Sequence, residues 1–103
     1  MIDFIKRIFG IKKVDFKKLY ESGATIVDVR TIAEFENGHI LNSQNIPLQD
    51  LKKELAKLDA KKPIITCCAS GVRSESARMI LKQNNFEVYN GGSWSKLNSK
   101  IFK

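Results

Sequence analysis

The chain has 103 residues, with 18 Lys and Arg against 11 Asp and Glu, a formal charge of +7, and 43% hydrophobic residues. That length suits one small domain with a modest core, and that composition argues against intrinsic disorder. No run approaches the ~20 consecutive apolar residues of a membrane-spanning helix, so no transmembrane segment is expected.

Met1 to Gly10 has its apolar residues broken by Asp3, Lys6 and Arg7. It lacks the unbroken apolar centre of a secretory signal, which makes a reducing, cytoplasmic setting the default. Cys67 and Cys68 are adjacent and cannot make a disulfide framework. With His39 the single histidine, a structural zinc site is not expected either. The lysines fall in pairs (Lys12-Lys13, Lys17-Lys18, Lys52-Lys53, Lys61-Lys62) beside apolar helix positions or at turns. These read as solvated faces, without the basic region or aromatic platform of a nucleic-acid binder, and no specific nucleic-acid partner is expected. A positive field that attracts small anions is the more modest inference.

In chain order, residues 1–13 form an amphipathic segment through Ile2, Ile5, Ile8 and Phe9, expected to dock on a single domain spanning residues 14–103. Asp15 can cap a short helix that buries Phe16 and Leu19 and stops at Gly23. Ala24 to Val29 is β-branched and apolar up to Asp28, as a central parallel strand reads. Thr31 and Glu34 have capping-box spacing, so a short helix starts there, and Arg30 stands four residues from Glu34, where the two can pair. Gly38-His39-Ile40 marks a turn, and Asn45-Ile46-Pro47 suits only a minor strand. Leu48, Leu51, Leu55 and Leu58 recur as the stripe of a surface helix. Pro63 to Cys67 is a second buried strand, and residues from about Arg73 to Gln83 are helical through Ala77, Ile80 and Leu81. Phe86 to Tyr89 alternates as a further strand, followed by Gly91-Gly92 and a last helix with Leu97 and Ile101. Strands alternating with helices predict an α/β fold: a small, mostly parallel sheet of about five short strands with helices on both faces.

Such folds put their chemistry at the carboxyl ends of the strands. There, Cys68-Ala69-Ser70-Gly71-Val72-Arg73-Ser74 leaves a strand and enters a helix. Small residues let successive N–H groups converge on one point, and the helix dipole and Arg73 add positive charge. A sulfur at that point is favoured as thiolate, so Cys68 is the candidate nucleophile, while Cys67 shares a strand face with Ile65 and reads as buried filling.

Asp28-Val29-Arg30, Glu34-Phe35, Gly38-His39-Ile40, Asn45-Ile46-Pro47 and the Cys68–Ser74 loop, in that order, resemble the signature of rhodanese-like sulfurtransferase domains. The resemblance runs from about Val14 to Trp94. It implies that Cys68 accepts a sulfane sulfur as a persulfide, held by the backbone amides of residues 69–73, and passes it on. Arg73 would help hold the loop and attract the anionic donor, while Asp28 and Arg30 would support the neighbouring connection. It further implies a small anionic donor such as thiosulfate, a thiol or cyanide acceptor or a protein persulfide partner, and no cofactor or metal. His39 is read as structural. Two readings compete. Counted from Cys67, the segment is a Cys-x5-Arg loop of a phosphatase or arsenate reductase, although Thr66 stands where such enzymes carry histidine and no general-acid aspartate follows. The other is a non-catalytic module that binds sulfur or a partner.

Overall fold

The computed structural model describes residues 13–103. Its elements are α1 (Phe16–Glu21), β1 (Thr25–Asp28), α2 (Ile32–Glu36), β2 (Gln44–Asn45), β3 (Ile64–Cys68), α3 (Val72–Gln83), β4 (Val88–Ser93) and α4 (Trp94–Ile101). The four strands pair in parallel in the order β2-β1-β3-β4. The expected parallel α/β sheet is present, with one strand fewer than about five among the described residues. The amphipathic segment expected over residues 1–13 lies outside them except for Lys13.

β1 and β3 are central and buried on both faces, which is why their apolar residues do not alternate with exposed polar ones. Two cores result. Val27, Val29, Ile64, Cys68, Ala77 and Leu81 pack on the α3 side. Ile26, Ile40, Ile65, Cys67, Leu97 and Ile101 pack on the other, with Phe16 and Leu19 of α1 half-buried against them. The Asp15 carboxylate caps α1 by accepting from the Lys18 N–H at 3.1 Å. The Thr31/Glu34 capping box at α2 is fully formed.

Two elements differ from the sequence reading. The leucine stripe forms two 3₁₀ turns, Leu48–Lys53 and Leu55–Lys57, in place of one α-helix. Leu48/Leu51 and Leu55/Leu58 are each three apart, the spacing that lines up one face of a 3₁₀ turn, and the joint falls at Glu54. β4 begins two residues later than expected and runs through Gly91-Gly92. Phe86 is drawn off the strand because its N–H bonds the Leu81 carbonyl at 3.1 Å and its ring packs on the α3 core. β4 also carries a bulge, since Thr66 pairs with Asn90 but Cys68 with Ser93. Gly91 is required there: a Cβ would lie 2.7 Å from Leu97 and 2.8 Å from Ile65.

Candidate active site

Adjacent side chains of a strand point to opposite faces, so β3 delivers its two cysteines to different environments. Cys67 faces the α4 side, across from Asp28 of β1. Cys68 ends the strand on the α3 side, beneath the exposed residues Ala69 and Ser70. The chain then turns back over the sulfur. Gly71 adopts φ 104°, a left-handed conformation that glycine takes without a Cβ penalty, and stands immediately before α3. This turn aims the Gly71 N–H at Cys68 Sγ at 3.0 Å, and the first turn of α3 brings the Ser74 N–H to 3.4 Å. The Ser74 hydroxyl oxygen lies 3.4 Å from the same sulfur.

Burial opposes charge on this sulfur. The Ser74 hydroxyl, hydrogen-bonded to the sulfur, and the Ser74 and Gly71 amides that donate to it outweigh burial, and the Cys68 thiol lies below its ordinary pKa. At Cys67 the balance reverses, because burial and the nearby Asp28 carboxylate push the thiol far above its ordinary value. Of the amides of residues 69–73 expected around the sulfur, that of Gly71 lies at hydrogen-bond distance, and the Ser74 amide, outside that range, joins it. The loop surface is open (Val72 is 73% exposed), yet Cys68 itself is 0% exposed.

The charged residues are arranged differently from their local spacing. Arg30 does not take the Glu34 carboxylate. Its guanidinium forks onto Asp28, with Nε to Oδ1 at 2.9 Å and Nη2 to Oδ2 at 2.7 Å. It also donates to the Glu34 and Gly38 carbonyls and stacks 4.8 Å from the Trp94 ring centroid. This buried brace links the end of β1 to the Glu34 and Gly38 carbonyls. Glu34 is thereby free to reach Arg73, with bonds of 2.8 and 3.0 Å. Arg73 thus ties the start of α3 to α2, with both terminal guanidinium nitrogens donating to Glu34 and none to the sulfur. His39 stacks on Phe35 with centroids 3.7 Å apart and donates from Nδ1 to the Phe35 carbonyl at 2.7 Å, a structural arrangement.

Two residues escaped the sequence reading. Thr66 is buried and donates to the Ser74 carbonyl at 2.9 Å. Asn90 accepts from the Ser74 hydroxyl at 2.7 Å and donates to the Gly71 carbonyl at 3.2 Å. The available signal was a polar residue inside each strand, Thr66 in the buried β3 and Asn90 in β4. Among the described residues, no group of three or more metal-ligating side chains occurs. No described helix is long and apolar enough to cross a membrane.

Comparison with known proteins agrees with this architecture. The Bacillus subtilis protein YqhL is 41% identical over 80 residues, covering 76% of this chain and 64% of its own length, so the chain spans just under two thirds of that relative. A Pseudomonas savastanoi protein named thiosulfate sulfurtransferase GlpE is 36% identical over 72 residues, covering 69% of this chain and 68% of its own. The crystal structure of a rhodanese-related protein from Thermoplasma volcanium superposes with a TM-score of 0.72 at 29% identity, covering 85% of this chain and 90% of that one. The model of the rhodanese-like domain matches residues 13–99, a span holding every strand and the whole cysteine loop, and the chain belongs to that family.

Proposed function

We propose that the protein is a sulfurtransferase in which Cys68 carries the sulfur as a persulfide. The convergence of the Gly71 and Ser74 amides on one sulfur atom carries this reading. With thiosulfate as donor, the Cys68 thiolate attacks the outer sulfur. The bond between the two donor sulfurs breaks, and sulfite leaves with the electron pair. The new terminal sulfur of the persulfide bears the negative charge, and the loop donors stabilise it as they stabilise the thiolate. A thiolate or cyanide then attacks that terminal sulfur, and the Cys68 thiolate is regenerated as leaving group. No redox partner or cofactor enters the balance.

The scale of the loop favours sulfur over phosphate. Its amides lie at hydrogen-bond distance from Sγ itself, whereas a phosphatase loop must stand back to surround a tetrahedral anion. Cys67, the nucleophile of the phosphatase register, faces the other side of the sheet. Steady-state assays with thiosulfate and cyanide test the reading. Cys68→Ser removes the nucleophile and reduces transfer to background, while Cys67→Ser retains most of it. Loss confined to Cys67→Ser would reverse the assignment.

A further inference from the structure

Asn90 makes four hydrogen bonds around the loop, and their donor–acceptor logic is fully determined. The Gly92 N–H can only donate, and it lies 2.9 Å from the Asn90 side-chain oxygen. The Gly71 carbonyl can only accept, and it lies 3.2 Å from the side-chain nitrogen, which also faces Glu75 Oε1 at 3.3 Å. The amide orientation follows. Since Asn90 Oδ1 cannot donate, the Ser74 hydroxyl 2.7 Å away must give its single proton to Asn90. Ser74 then turns a lone pair toward Cys68 and accepts from the S–H at 3.4 Å. When Cys68 loses its proton to solvent, Ser74 can donate to the thiolate only by leaving Asn90.

We propose that Asn90 is a positioning residue for Cys68, deciding through Ser74 whether the hydroxyl nearest the sulfur accepts from it or donates to it. The inference rests on the reading of Cys68 as the sulfur carrier and says how its reactivity is tuned. The Gly71 and Ser74 amides donate to the sulfur and favour the thiolate. A thiol made too acidic becomes a weak nucleophile, because nucleophilicity falls with basicity. Competition from Asn90 for the Ser74 proton holds Cys68 back from that limit. The charged groups around the site are Arg73, paired with Glu34 of α2; Glu75, paired with Arg78 on α3; and the Asp28–Arg30 pair at the end of β1. Substitution at Asn90 changes the charge of none of them.

The test is the pH dependence of iodoacetamide alkylation, read at Cys68 by peptide mass, in wild type, Asn90→Leu, Ser74→Ala and the double variant. Freed from Asn90, Ser74 donates to the thiolate without loss, so Asn90→Leu lowers the midpoint by about one pH unit. The plateau rate of the fully ionised thiolate falls about threefold with it. Both changes vanish when Ser74 is already alanine. A merely structural Asn90 gives another pattern: loosening of Gly71 raises the midpoint or leaves it unmoved, and any shift persists without the Ser74 hydroxyl. Either result overturns the proposal. Asn90→Ala, checked for folding by circular dichroism, replaces the leucine variant should that fail to fold. Alkylation does not require sulfur transfer. A protein that shows the shifts but gains no sulfur from thiosulfate would contradict the proposed function alone, and one that loads sulfur without the shifts would contradict the role of Asn90 alone.

Discussion

On one face of β3, Cys67 lies among Ile26, Ile40, Ile65 and Leu97, with the Asp28 carboxylate as its polar neighbour. On the other, Cys68 lies under a tight turn, with N–H groups of Gly71 and Ser74 directed at its sulfur. The side chains are identical, one residue apart, and both are fully buried. Burial alone therefore does not decide reactivity. What separates them is whether the buried sulfur faces donors or a carboxylate, a difference of backbone geometry that the loop after β3 creates.

The largest separation is expected in chemical reactivity. In the native protein, Cys68 alkylates with a midpoint below the free-thiol value of about 8.5, while Cys67 stays unmodified until the chain unfolds. Peptide-resolved alkylation across pH measures both. Equal labelling of the two cysteines would erase the contrast.

The Cys67 face should instead reveal itself in stability. Arg30→Ala leaves Asp28 buried and unpaired next to Cys67, at a cost of about 3–5 kcal/mol, the scale for breaking a buried ion pair. Urea unfolding provides the number. A cost below about 1 kcal/mol would mean that the brace is not what holds that face together.

The smallest effect belongs to the tie that joins the loop to α2. Hydrogen bonds from Arg73 and then from the Thr31 N–H lower the Glu34 carboxyl to about 2. A depressed carboxyl stabilises the fold above its unfolded value and loses that contribution as pH falls through the folded value. The window here runs from about 4.5 down to about 2. Glu34→Gln should flatten stability against pH across that window and leave the rest of the profile unchanged. The effect at neutral pH is small, because both side chains are about one-third exposed. A profile identical to wild type would show that the pair carries nothing.

How much of this was legible in the sequence follows the range of each interaction. The capping box at Thr31 and Glu34, the apolar β1 and β3, and the inward phase of Cys67 all rest on local periodicity, and each is present. The loop motif placed Gly71 among the amides expected near Cys68, whereas the Ser74 amide lay outside that expected range. Local rules failed where a distant partner competed. Arg30 and Glu34 have the right spacing to pair, but Asp28 captures Arg30, and Glu34 crosses 39 residues to Arg73. Asn90 is 16 residues from Ser74 and meets it across the pairing of β3 with β4, which no pattern in Val88-Tyr89-Asn90-Gly91-Gly92 announces. The covering of the Cys68 sulfur was equally hidden, because it depends on how the turn lies over the strand and not on which residues form it.

The central claim is that sulfur loads on Cys68 and not on Cys67. Incubation of the native protein with thiosulfate, removal of excess reagent, and intact mass followed by peptide mapping under non-reducing conditions test it most directly. The account predicts a gain of one sulfur atom per chain, located on Cys68, and its release on addition of cyanide. Sulfur found on Cys67, or a chain that gains none while still folded, would contradict it.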